Sequence, residues 1–231
     1  MKNLANLLRQ DNLKAIFNPP KRSSSRAECS EETTTELLDL SIKGAQVSEN
    51  YFFEVCVPKK FAHATLEHCD KQPESFHEYA RQWGSNPESV ILLGDVGRGK
   101  TQFAFAMIRE MFRRCNRKLW PRYYTSPEMD AILLKASRDE EADKAIIHQI
   151  GSEDLLFIDD FGREIDSQRS KRQYFELLNL RYANLLPTLI STNLTLAQIA
   201  NHMNSAIASR FQEFQIVEFG GPDLRAQRKI C

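Results

Sequence analysis

Apolar and polar positions along this chain fall into short blocks whose period switches repeatedly. Glu88-Ser89-Val90-Ile91-Leu92-Leu93 is a brief apolar run, the signature of a strand buried on both faces. Residues 101–116 then place Phe103, Phe105, Ala106, Met107, Ile108, Met111 and Phe112 on one wide apolar face, which predicts a helix. Arg113, Arg114 and Lys118 lie toward its end, where cations suit the helix dipole. Arg122-Tyr123-Tyr124-Thr125 reads as a second strand. Ser126-Pro127-Glu128 reads as N-cap, first-turn proline and first-turn acid, with Met129 to Ala136 continuing the helix. A charged segment from Arg138 to Lys144 leads into apolar Ala145 to Ile150. Leu155 to Asp160, Thr188 to Asn193 and Gln215 to Phe219 are three further strands, and Pro73 to Trp83 is a helix opened by Pro73. Strands alternating with helices predict an α/β fold with a central parallel sheet.

The first 60 residues behave differently. Leu4, Leu7, Leu8, Leu13, Ile16 and Phe17 give residues 2–17 a helical stripe, which suits equally a helix packed on its own domain and one that docks a partner. Residues 18–35, with Pro19-Pro20-Lys21-Arg22 and a Ser/Thr-rich remainder, have the composition of a flexible linker. Residues 36–60 carry apolar pieces, Tyr51 to Val57 among them, that follow neither period. The regular pattern occupies 61–231, and no internal repeat is present.

Composition narrows the function classes. With 231 residues and 42% apolar content, the chain suits one ordinary domain plus an extension. Lys+Arg and Asp+Glu both number 31, so no global basic field draws nucleic acid, and any such contact needs a local patch or an assembled ring. No apolar run is long enough for a bilayer, and residues 1–10 have no secretory signal core. Five scattered cysteines, none at C-x-x-C spacing, indicate neither a disulfide framework nor a zinc site. A reducing, cytoplasmic compartment is the expected home.

The candidate chemistry sits at strand ends. Gly94-Asp95-Val96-Gly97-Arg98-Gly99-Lys100-Thr101 fits the phosphate-binding loop pattern in full, between a strand and a helix as that motif requires. The glycines let backbone N–H groups turn inward onto phosphate oxygens, and the helix that follows presents its positive end to the same anion. Lys100 can reach the β- and γ-phosphates, and the Thr101 hydroxyl can ligate Mg²⁺. The strand ending in Asp159-Asp160 offers Asp159 as a carboxylate for Mg²⁺ and Asp160 as a general base toward water. Asn193 reads either as a turn or cap residue or as a hydrogen-bond partner of attacking water or the γ-phosphate. Arg210, near a helix end, and Arg225, after the last strand, can each stabilise transition-state charge.

Taken in order, GDVGRGKT, LLFIDDFG, PTLISTN, SRF and GPDLR resemble the AAA+ ATPases of the bacterial helicase-loader group, the DnaC/DnaI proteins and their IstB-like transposition relatives, over about residues 60–226. The resemblance implies a three-layer P-loop NTPase domain of AAA+ type that binds ATP and Mg²⁺. It implies Walker A at 94–101, Walker B acids at Asp159 and Asp160, sensor 1 at Asn193, an arginine finger at Arg210 acting on a neighbouring subunit's nucleotide, and a sensor 2 arginine at Arg225. It further implies a ring or spiral of subunits that grips a replicative helicase and single-stranded DNA. Lys135, Arg138 and Lys144, in the 127–150 region, are the DNA-contact candidates. Two features depart from the group: Asp-Asp replaces the common Asp-Glu, which points to slow, switch-like turnover, and the N-terminal region lacks a zinc-ligand set, leaving helix 2–17 as the docking candidate.

The leading expectation is therefore an ATP-hydrolysing helicase loader. An IstB-like transposition ATPase has the same core and a different partner, and a nucleotide-binding adaptor with little hydrolysis is the non-enzymatic alternative. A small-molecule kinase would need a lid and acceptor pocket that nothing here specifies, and a GTPase reading lacks Asn-Lys-x-Asp.

Overall fold

The computed structural model describes residues 48–136, 139–162, 167–203 and 205–224. The helix expected at 2–17, the linker at 18–35, Arg138 and Arg225 lie outside the described residues. Five strands, β1 (Val90–Leu93), β2 (Pro121–Thr125), β3 (Leu155–Asp159), β4 (Thr188–Thr192) and β5 (Gln215–Glu218), form one sheet in the order β2-β3-β4-β1-β5. Every pairing is parallel. The helices are α1 (Glu74–Ser85), α2 (Lys100–Arg114), α3 (Ser126–Ala136), α4 (Glu140–Gly151), α5 (Gln168–Ala183), α6 (Leu196–His202) and α7 (Ser205–Phe211). Among the described residues no helix is long and apolar enough to cross a membrane.

The unbroken apolar runs arise because both sheet faces are covered. Val90, Leu92, Leu155, Phe157 and Leu189 join the core that includes α1 and α2 residues. Their neighbours Ile91, Leu93, Leu156, Ile158 and Ile190 join a second core with residues of α3 to α7. The result is three layers, as expected. Helix α2 is closed in almost all round: Phe103 to Ile108 have no exposed surface. The sheet covers one side of it, with Phe105 and Phe157 edge-on at 5.3 Å, and α1 and residues 52–57 cover the other.

Residues 52–57, within the stretch that follows neither period, therefore contribute to this core. Glu49–Tyr51 forms a helical turn that runs into a π-helical segment, Phe52–Cys56, and such a short stretch of changing helical pitch leaves no 3.6-residue pattern to read. Phe52, Phe53 and Val57 are buried there. Arg109 of α2 fastens the segment: it pairs with Glu49, donates to the Ala62 and Ala64 carbonyls at 2.7 Å each, and stacks 3.7 Å from the centre of the Phe53 ring.

Several boundaries differ from expectation by a local mechanism. Strand β2 passes into α3 with no intervening residue, so the cap is Thr125, not Ser126. The Thr125 Oγ1 accepts from Glu128 N (3.4 Å) while Glu128 Oε2 accepts from Thr125 N (3.0 Å), a reciprocal box, and the Ser126 hydroxyl is buried without a partner. Within the charged segment, Glu140 to Lys144 already belong to α4, because the Asp139 carboxylate caps Glu141 N and Ala142 N at 2.8 and 3.1 Å. Helix α2 stops at Arg114, so Lys118 lies beyond it, and Arg113 and Arg114 both pair with Glu110. Pro73 precedes α1 as its cap residue and does not occupy the first helical position.

Candidate nucleotide-binding site

Strand order assembles the site. Because the strands are parallel, the loop after β1, the acids at the end of β3 and the polar end of β4 emerge at the same edge, and β4 stands between the other two. Residues about 60 and 90 positions apart in sequence thereby become neighbours.

The loop 94–99 turns on left-handed glycines. Gly97 has φ +83°, and a Cβ there would lie 1.9 Å from an Asp223 carboxylate oxygen. Gly94 faces the Phe219 carbonyl, 2.5 Å from where its Cβ would be. The loop is thus fitted against residues after β5, and Leu224 N donates to Gly97 O at 3.0 Å. Gln72 supports it from the other side, donating to Arg98 O at 2.9 Å. Asp95 and Val96 are exposed at the tip, and Arg98 Nη2 reaches Asp95 Oδ2 at 3.3 Å.

The Lys100 ammonium is almost fully buried and ringed by oxygens. It donates to Gly94 O (2.5 Å), Asp95 O (2.9 Å) and Asn193 Oδ1 (2.7 Å). Asn193 Nδ2 in turn donates to Asp160 Oδ1 at 3.3 Å, so one amide side chain links loop lysine and strand-end acid. Asn193 does not cap the next helix, since Thr195 does that in a capping box with Gln198. Asp160 is exposed and left-handed at φ +54°, a conformation Asp tolerates better than most residues.

Asp159 is buried at the base of the site. Its carboxylate accepts from Thr101 Oγ1 at 3.0 and 3.1 Å and from the Ser191 hydroxyl. Burial pushes this carboxyl above the usual range. The Ser191 hydrogen bond opposes that, the Asp160 charge adds to it, and Thr101 opposes it again. A buried carboxylate beside a hydroxyl, both hard oxygen donors, fits a divalent cation. Among the described residues no group of three or more His, Cys, Asp or Glu side chains is arranged around a metal. A cation on Thr101 and Asp159 would therefore take its remaining ligands from phosphate and water, the habit of Mg²⁺.

Ser191 is the participant that sequence reading missed. It is fully buried on β4, its hydroxyl donates to Asp159, and the same oxygen accepts from Asp160 N at 3.1 Å. A hydroxyl residue at an inward position of an apolar strand, next to a strand-end Asn, was the available signal. The other predicted residues scatter. Arg210 lies toward the edge where the strands begin: its Nη2 donates to Asn179 Oδ1 at 3.1 Å, and its guanidinium lies 4.3 Å from the centre of the Tyr182 ring. It is not part of this chain's own phosphate loop. Lys135 is exposed on α3, while Lys144 pairs with Glu140 at 2.7 Å on a helix whose first turn is acidic.

A parallel sheet of this order, with a phosphate loop after β1 and acids at the end of β3, defines a P-loop NTPase domain of AAA+ type. The chain belongs to the family described as IstB-like ATP binding protein, whose family model matches residues 70–230. The Phage-like element PBSX protein XkdC of Bacillus subtilis is 27% identical over 154 residues, covering 63% of this chain and 53% of that protein. The chain spans about half the length of the curated relatives it matches. Among solved structures, DnaI superposes with a TM-score of 0.59 at 21% identity, covering 73% of this chain and 94% of that one. The DnaC helicase loader superposes at 0.58 and 17%, covering 71% and 100%. At such identities the likeness is one of fold.

Proposed function

We propose that this chain binds ATP with Mg²⁺, hydrolyses it slowly, and acts in DNA replication as a cytoplasmic helicase loader that contacts a replicative helicase and single-stranded DNA and self-associates when ATP is bound. The observation that carries the nucleotide reading is the continuous link Lys100–Asn193–Asp160 beside the Thr101–Asp159 pair.

In this reading the residues divide the work. Loop amides and Lys100 hold the triphosphate. Thr101 and Asp159 hold Mg²⁺, which when bound neutralises charge on the phosphate oxygens. Asp160, exposed and with one oxygen held by Asn193, is placed to take a proton from attacking water. Its short side chain reaches less far than a Glu, which supports switch-like turnover. Arg210 serves the nucleotide of a neighbouring copy. Arg225 is assigned to the chain's own nucleotide; it directly follows Leu224, whose amide is bonded to the loop.

A second reading, an IstB-like transposition ATPase, is favoured by the family match itself. Both readings share the site and differ in partner. The test has two stages. Purified chain should take up a fluorescent ATP analogue in millimolar Mg²⁺ and release phosphate, and Lys100→Ala should abolish both. Uptake without phosphate release would make the chain a nucleotide-dependent adaptor, and no uptake would remove the ATPase reading. Affinity capture on the host's replicative helicase and on its transposases then decides the partner, and a chain that holds neither is not a loader.

A further inference from the structure

Positive charge is concentrated in one short segment of this chain. Residues 113–122 hold five cations, Arg113, Arg114, Arg117, Lys118 and Arg122, and no acid, in a chain whose formal net charge is zero. Like charges this close repel one another, and an anion laid across them relieves that repulsion. The helix dipole accounts for Arg113 and Arg114, which lie in the last turn of α2. It does not account for Arg117 and Lys118, which lie beyond the helix end in the connection to β2. Both are exposed, and neither forms an ion pair among the described residues.

The neighbouring acids are turned inward. The buried Glu110 carboxylate serves both Arg113 and Arg114, whose side chains stay nearly half exposed. Glu49, 3.9 Å from Arg113, is already paired with Arg109. Glu153 accepts from Arg122 at 3.0 Å, and Asp154 accepts from the Trp120 amide at 2.9 Å. The cationic heads of Arg113, Arg114, Arg117 and Lys118 are thus outermost. No large apolar side chain is exposed within the segment. It therefore lacks the desolvated apolar centre on which a protein partner would anchor, whereas a nucleic-acid backbone needs only exposed cations. Residues 127–150, the region implied by the resemblance, hold six acids against three cations, a poorer match to phosphate. We propose that Arg113, Arg114, Arg117 and Lys118 form a surface for the phosphate backbone of DNA, which recognises charge and not base sequence. This rests on the DNA-contact reading above and moves the contact to the connection between α2 and β2. Helix α2 runs from Lys100 to Arg114, so its 15 residues place this surface roughly 22 Å from the phosphate loop.

The test uses the full chain with Mg²⁺ and ATP, and fluorescence anisotropy of a labelled oligothymidine and of a labelled duplex of equal length over a salt series. Arg117→Gln with Lys118→Gln removes two phosphate contacts. Binding should weaken on whichever strand form the parent chain holds. The slope of log affinity against log salt should become shallower by about 1.4 on single strands or about 1.8 on duplex. Melting temperature and uptake of a fluorescent ATP analogue should not change. Charge reversal at the same positions, Arg117→Glu with Lys118→Glu, should abolish binding at physiological salt. If the Gln pair keeps the parent's affinity and slope, or if Lys135→Gln with Lys144→Gln causes the larger loss, the surface is wrong and the DNA-contact reading stands. If the parent chain holds neither oligonucleotide, that reading and this surface fall together, and nucleotide uptake decides the ATPase reading separately.

Discussion

Two acids are organised by one hydroxyl. Ser191 donates to Asp159 and accepts from the Asp160 amide, so it fixes the direction of the buried carboxylate and the turn that carries its neighbour. A hydrogen bond to a charged group contributes roughly 1.5–3 kcal/mol, and 1.4 kcal/mol is about tenfold in a binding constant. Ser191→Ala should therefore weaken nucleotide affinity about tenfold in Mg²⁺ and change it little in EDTA, measured by titration of a fluorescent ATP analogue. Equal losses in both conditions would show that Ser191 does not act through the metal side of the site. Gly97 makes a second residue-scale case. A Cβ there meets Asp223 and demands a left-handed backbone, so Gly97→Ala must push the residues after β5 off the loop. Nucleotide affinity should fall by about an order of magnitude or more, with a loss of about 1–3 kcal/mol in urea-monitored stability.

At the scale of elements, the joint between α4, α5 and β4 is held by Arg181, which is fully buried. Its Nε donates to Thr188 Oγ1 at 2.9 Å, Nη1 to the Gly151 and Glu153 carbonyls at 3.2 and 2.7 Å, and Nη2 to Pro187 O at 2.6 Å. Burial lowers its pKa to about 10, so it stays charged at neutral pH. Arg181→Met orphans these acceptors and should cost about 3–5 kcal/mol by urea denaturation. Glu153, in the same joint, is pushed above the usual carboxylate range by burial despite Arg122 beside it. The folded state thus holds this proton more tightly than the unfolded chain does. Stability falls as pH rises from the ordinary value through the raised one, and the loss is complete above it. The melting temperature of Glu153→Gln relative to the parent chain should accordingly rise as pH is raised above the ordinary carboxylate value of about 4. A gap that narrows as pH rises would contradict the sign.

Across the whole molecule, the stretch before α1 is tied to the phosphate-loop helix by Arg109, which reaches Glu49, Ala62 and Ala64 at once. Arg109→Ala should expose residues 48–64 to limited proteolysis several-fold faster while the sheet core stays resistant, checked by mass spectrometry of the first fragments. Two-sided sheet burial made the strands and the three-layer class readable from apolar runs, and the glycine loop was readable from local backbone demands. The core role of Phe52 and Phe53 was not readable, because a π-helical turn carries no regular period. Nor were the Thr125 and Asp139 caps, since Ser126 and the charge run offered plausible alternatives a residue or more away.

By itself, the sequence determined what short-range chemistry controls: where amides can curl around phosphate, which runs must be buried on both faces, and which side chains carry charge at strand ends. Tertiary structure alone decided who meets whom. Placing β4 between β1 and β3 set Asn193 against both Lys100 and Asp160, and Ser191 beneath both acids. It also set Arg210 on Tyr182, away from the chain's own loop. Strand order comes from burying two faces of one sheet at once, a demand spread over residues far apart in the chain, and no local pattern records it.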